Sequence, residues 1–106
     1  MRLLIDDMRE IEADAVARDS YQAYKLISRA KWDEVYLDHD LGEGSDTGYQ
    51  VMNWWLESDY PLPHTILIVS SNPVGRDNIG RALVAHGYHR SSPFLFQLPI
   101  DNVSEV

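Results

Sequence analysis

The feature that most limits how this chain can fold is its alternation of short apolar runs with longer segments of helical spacing. Leu3-Leu4-Ile5 runs into Asp6-Asp7, Val35-Tyr36-Leu37 into Asp38-His39-Asp40, and Thr65-Ile66-Leu67-Ile68-Val69 into Ser70-Ser71-Asn72. Apolar runs of this length, bounded by polar residues, read as buried strands. The third is the clearest and predicts a central strand in a sheet covered on both faces. Ala15-Val16-Ala17 is a weaker second strand, and Phe94-Leu95-Phe96 a last one.

Between the strands the apolar spacing turns helical. Ala23, Leu26, Ile27 and Ala30 form one stripe, with Asp19 or Ser20 as N-cap. Asp46 and Thr47 can cap a second helix that carries Tyr49, Met52 and Leu56, with Val51 and Trp55 toward the core, and that ends at Ser58-Asp59-Tyr60-Pro61. Asn72-Pro73 supplies a cap and first residue for a third, with Ile79, Ala82 and Leu83 inward and Gly87 as its stop. Between the first two strands the spacing is too short for the dozen or more residues that a helical crossover needs. The first helix is therefore expected to be missing or reduced to a turn.

Strands alternating with helices predict an α/β fold of the doubly wound, flavodoxin-like kind, with about five mostly parallel strands in the order 2-1-3-4-5. The length of 106 residues suits one domain spanning 1–106. In such sheets ligands sit beyond the carboxyl ends of the strands. Asp6-Asp7, Asp38-His39-Asp40 and Ser70-Ser71-Asn72 are thus expected at one edge.

Composition limits what that edge can bind. With no cysteine, a metal would have to be held by carboxylate or imidazole, a ligand set suited to magnesium, manganese or calcium. The formal net charge of −8 opposes non-specific binding to nucleic acid or to an acidic membrane. Residues 1–60 hold fourteen acids against six Lys and Arg, a balance of −8, and residues 61–106 hold three against three, so an anionic ligand would be met mainly from the second half. No apolar run approaches the ~18 residues of a membrane span, and the acidic start does not suit a signal peptide. A cytoplasmic location is the expectation.

Asp6, Asp7 and Asp38 can supply oxygens to Mg²⁺ or Mn²⁺, leaving positions for water and phosphate. Ser70, Ser71 and the amide of Asn72 can bond a phosphate oxygen, as can the start of the following helix, and Arg76 can reach back as a fork-shaped ligand. His39 suits metal ligation, proton transfer near neutral pH, or a turn to the opposite face from Asp38 by strand alternation. Of Trp54 and Trp55, one is expected in the core and the other on a contact surface open to a protein partner. His64, His86 and His89 lack metal-ligand spacing and read as surface residues.

LLIDD, YLDHDLG with the glycine of DTG, LIVSSNP and SPF together resemble the receiver domain of two-component signalling over roughly residues 1–98. The resemblance implies metal ligation by Asp6, Asp7 and the main-chain carbonyl of Asp40, phosphoacceptance by Asp38, and a switch hydroxyl at Ser70 or Ser71. The lysine that receivers place before the late proline is Ser92 here, with Arg90 nearby, and a histidine follows Asp38. LDHDLG at Leu37–Gly42 with SNPVGRDN at Ser71–Asn78 more closely resembles the cyclic-phosphate-processing receiver domains. That family occurs in bacteria and bacteriophages and is proposed to act on cyclic phosphate ends in RNA repair or on cyclic nucleotides.

The implied activity is a metal-dependent phosphoesterase acting on an RNA 2′,3′-cyclic end or a cyclic nucleotide, in which Asp38, His39 and Asp40 form the catalytic group. His39 or Asp40 would move the proton, and Asn72 and Arg76 would bind the phosphate. The alternatives are a non-catalytic pseudo-receiver that binds a nucleotide or a protein, and a phosphoaccepting receiver.

Overall fold

A computed structural model describes residues 1–99; residues 100–106, which the single-domain expectation includes, lie outside the described part. Strands β1 (Arg2–Ile5), β2 (Ala15–Ala17), β3 (Glu34–Leu37), β4 (Thr65–Ile68), β5 (His89–Arg90) and β6 (Leu95–Gln97) form one sheet in the order β2-β1-β3-β4-β6-β5. Helices α1 (Ser20–Arg29), α2 (Gly48–Glu57) and α3 (Pro73–Ala85) connect them. Their starts follow local chemistry. Asp19 accepts from the Gln22 amide, Thr47 and Gln50 cap one another's backbone reciprocally, and Asn72 accepts from the Gly75 amide with Pro73 in the first turn.

β2, β1, β3 and β4 are parallel, and Ile5, Leu37 and Ile68 stand level across β1, β3 and β4. The ladder runs one residue further, since the Asp38 amide donates to Ile5 (2.9 Å) and the Val69 amide to Leu37 (2.9 Å). The backbone therefore brings Asp6 and Asp38 to the same height before any side chain is considered.

The α/β class with a mostly parallel sheet is as expected, and the order 2-1-3-4 holds. The expected last strand at Phe94–Phe96 does take the fifth position, as β6, but it runs the other way and a further strand lies outside it. β6 lies antiparallel to β4, and the two-residue β5 pairs outside it. The reason is the tight turn after Arg90, where Ser92 Oγ accepts from the amides of Phe94 (3.2 Å) and Leu95 (3.1 Å). So short a link can only reverse the chain, because a parallel return needs a crossover.

The expectation that β4 is covered on both faces is corrected. Ile66 and Ile68 are fully buried, whereas Thr65 and Leu67 are only half-buried. Each helix crosses toward the same edge of the sheet, so right-handed crossovers stack all three on one side. Val35, Leu37, Ile66, Ile68 and Phe96 join Val51, Trp55, Ile79 and Leu83 in the core there. Tyr36, Leu67 and Leu95 point the other way, where no helix lies among the described residues. Among those residues no helix is long and apolar enough to cross a membrane.

No helix joins β1 to β2, as the short spacing requires. Its hydrogen bonding is replaced by arginine. Arg18 donates to the carbonyls of Asp6 (3.1 Å) and Arg9 (2.8 Å) and pairs with Glu10 (3.1 Å), while Arg2 donates to the Glu12 carbonyl (3.2 Å). Replacing Arg18 with Met leaves those carbonyls without their protein donor. A loss of about 1–2 kcal/mol in urea denaturation is expected, with faster amide exchange concentrated in residues 7–14. Exchange that is unchanged there would show that the segment holds its shape without Arg18.

Candidate metal and phosphate site

The acidic residues that leave β1 and β3 meet as the strand register demands. Carboxylate oxygens of Asp6, Asp7 and Asp38 all lie within 4.8 Å of one another. They line an open cleft of about 390 Å³ together with Met8, Arg9, Asp40 and Ser71. Asp6 is fully buried and Asp38 nearly so. The donor set is carboxylate oxygen at a sheet edge, a chemistry that fits a hard cation such as magnesium, manganese or calcium.

The two buried acids have opposite electrostatics. Burial alone would push the Asp6 carboxyl up, but the Met8 amide, the Arg9 guanidinium and the Arg9 amide outweigh it and hold it below the ordinary value. These are bonds of 3.0 Å, 2.9 Å and 3.1 Å. Burial pushes the Asp38 carboxyl up, and the charge of Asp6 adds to it. The His39 amide, the Ser70 hydroxyl and Arg9 oppose that rise without cancelling it. Arg9 reaches both acids, at 2.9 Å from Asp6 Oδ2 and 3.5 Å from Asp38 Oδ2.

His39 turns away from the cleft. Its ring packs on α3 where Gly75 leaves room: a Cβ there would stand 2.4 Å from His39 Cγ. Its Nδ1 lies 3.1 Å from Asp40 Oδ1 and 3.5 Å from Asn72 Nδ2. Gly48 does the same for the main chain, since its Cβ would fall 2.0 Å from the Asp38 carbonyl oxygen. The paired motifs LDHDLG and SNPVGRDN thus meet at one contact, the imidazole of the first on the glycine of the second.

Both motifs lie within the span matched by a family comparison. The model of the cyclic-phosphate processing receiver domain matches residues 1–85. The chain belongs to this family. Comparison with curated proteins gave no match. Within this receiver-type domain the hydroxyl-bearing loop after β4 splits its duties. Ser71 is exposed on the cleft, whereas Ser70 is buried and accepts the Asn72 amide at 3.0 Å. The Asn72 carboxamide oxygen caps α3 at the Gly75 amide (3.0 Å). Arg76 lies over the Phe94 ring at 4.8 Å, with Nη1 3.4 Å from the Ser70 carbonyl. Neither Asn72 nor Arg76 lines the cleft.

Trp55 is fully buried and Trp54 is partly exposed, stacked edge-on with Tyr24 at 4.8 Å and near Tyr60 at 5.7 Å. His64, His86 and His89 are exposed. Arg9 is the site residue that the sequence reading passes over. Its signal is its place three residues after Asp6, in a segment too short for a helix, where a cation is held against the acids.

The two acids should respond oppositely to neutralisation in chelator at pH 7. The folded Asp6 pKa is depressed, so its ionised form adds stability above the unfolded value, and that contribution is lost as pH falls through the folded value. The folded Asp38 pKa is raised, so its ionised form destabilises the fold at pH 7, a penalty removed as pH falls through that value. Asp6→Asn is expected to lower Tm and Asp38→Asn to raise it, each by several degrees for about 1 kcal/mol. Shifts of the same sign in thermal denaturation would refute this division.

Proposed function

We propose that the chain opens a cyclic phosphodiester by metal-dependent hydrolysis, on a small cyclic nucleotide or an RNA 2′,3′-cyclic end. The observation that carries this reading is the convergence of Asp6, Asp7 and Asp38 within 4.8 Å at the sheet edge, in a chain of the cyclic-phosphate processing family. A bound Mg²⁺ or Mn²⁺ would polarise the phosphoryl oxygen and make water a better nucleophile. Asp6, Asp7 and Asp38 would hold that ion, Asp6 through its buried carboxylate.

The reaction adds water across one P–O bond. An oxygen of water bonds to phosphorus, the ester bond to the ring oxygen breaks, and the departing oxygen takes a proton, leaving a phosphomonoester. Asp40 is the group for the proton transfers, since its carboxylate lines the cleft and is hydrogen-bonded by His39. His39 then acts through Asp40, orienting it from behind. Ser71 is the hydroxyl available to a phosphate oxygen in the cleft. Asn72 and Arg76 reach a substrate only where it extends toward α3. The acidic cleft wall and the net charge of −8 favour a small or terminal phosphate over a long nucleic-acid chain.

A second reading, binding without turnover, is favoured by Ser92 standing where receivers carry a lysine. Arg90 does not line the cleft; it lies over the Phe96 ring at 5.7 Å and points to the Ser92 carbonyl. Exposed Trp54 and Tyr60, backed by the half-buried Tyr24, offer this reading a surface for a protein partner. A phosphorus-31 NMR time course with 2′,3′- and 3′,5′-cyclic nucleotides separates the two. Turnover is expected with Mg²⁺ or Mn²⁺, is expected to stop in chelator, and is expected to fall at least about 100-fold in Asp38→Asn. Signals that shift without conversion would favour the binder, and undiminished turnover by Asp38→Asn would sink the hydrolytic arrangement.

A further inference from the structure

Arg9 is the one guanidinium lining the acidic cleft among the described residues. The others nearby are committed elsewhere. Arg18 is tied to the Asp6 and Arg9 carbonyls and to Glu10, Arg76 to Phe94 and the Ser70 carbonyl, and Arg90 to Phe96. Arg9 instead places Nη1 2.9 Å from Asp6 Oδ2 and 3.5 Å from Asp38 Oδ2, on two of the three carboxylates of the cluster. A divalent ion held by Asp6, Asp7 and Asp38 would compete with Arg9 for those carboxylates.

The backbone of Arg9 is held at the cleft wall by Arg18 and a carboxylate oxygen of Asp6, whereas its side chain is held by the acids of the cluster. Its amide donates to Asp6 Oδ1 at 3.1 Å, and its carbonyl accepts from Arg18 at 2.8 Å. The side chain is 40% exposed, and among the described residues its ion pairs are with the two acids alone. We propose that Arg9 is a movable cation: it neutralises the acid cluster in the metal-free protein, yields to a divalent ion, and then pairs with the phosphate bound beside that ion. This rests on reading the cleft as a site for a divalent ion and a phosphate.

The move follows from charge and reach. Three carboxylates and one guanidinium leave the cluster anionic, so a small doubly charged ion displaces a singly charged group held at its edge. Once released, the guanidinium is still anchored at the cleft wall by its own main chain. Its planar fork matches two phosphate oxygens, and a charge-assisted pair of that kind is among the stronger hydrogen-bonded contacts. Arg9 thereby supplies the positive charge for the phosphate that neither Arg76 nor Arg90 brings into the cleft.

The test is calorimetric titration of Mn²⁺ into the wild-type chain, Arg9→Gln and Arg9→Lys, followed by titration of inorganic phosphate into each Mg²⁺-loaded protein. Arg9→Gln is expected to bind Mn²⁺ about five- to tenfold more tightly than wild type and phosphate at least about tenfold more weakly, with Arg9→Lys between them on both counts. Equal or weaker Mn²⁺ binding by Arg9→Gln overturns the competition, and unchanged phosphate binding overturns the second role. If wild type binds Mn²⁺ and phosphate but the variants match it, the inference fails while the metal-site reading stands. If no protein takes up Mn²⁺, both fail. Thermal denaturation guards against a variant that simply folds poorly: Arg9→Gln should lose stability in chelator and recover it in Mn²⁺, and a loss that Mn²⁺ does not restore counts against the proposal.

Discussion

Two carboxylates leaving neighbouring parallel strands at the same level cannot both be ionised and buried unless a cation stands between them. Much of this structure follows from that constraint. The register that aligns Ile5 with Leu37 is fixed by backbone hydrogen bonds and by the buried faces of β1 and β3, so it cannot slip to separate the acids. The chain relieves the conflict unequally. Asp6 receives two amides and a guanidinium, and Asp38 is left with burial and repulsion that its own partners do not cancel. An arrangement that made both acids comfortable would leave little for a metal ion to improve. The unfavourable Asp38 is the part of the site that has most to gain from one, which is the usual opposition between stability and function at such positions.

Shape around the acids is set by glycines rather than by large side chains. A methyl group at Gly48 would collide with the Asp38 carbonyl and one at Gly75 with the His39 ring. Backbone clashes are costlier to relieve than contacts with the end of a flexible chain, so Gly48 fixes where α2 begins relative to β3. Gly75 allows the imidazole to lie against the first turn of α3, with Asp40 on its other flank. His39 thus joins strand, helix and cleft carboxylate without entering the cleft.

Much of this could be read in the sequence because strand ends and helix caps are local. Asp6, Asp7 and Asp38 follow apolar runs directly, and Asp19, Thr47 and Asn72 cap the helices that their neighbours begin. What could not be read depended on tertiary packing. The half-covered β4 looks apolar throughout, and only the stacking of all three helices on one face reveals that Leu67 points away from them. The direction of β6 depends on a four-residue turn, and Ser70 and Ser71 differ only in which of them the turn after β4 buries. Arg9 lay in a segment with no periodic pattern, where charge reads as solvation.

The absent first helix connects these points. In a full crossover the residues after Asp6-Asp7 would enter a helix, and an arginine three positions on would be fixed by its helical face. Here the segment returns in an open path pinned by Arg18 and Arg2, and its arginine falls back onto the acid that precedes it. Shortening the connection therefore removes cover from one face of the sheet and at the same time brings a cation to the site. The second effect is the one with chemical consequences: a receiver-type edge with Ser92 in the lysine's place gains a positive charge from the opposite end of the chain.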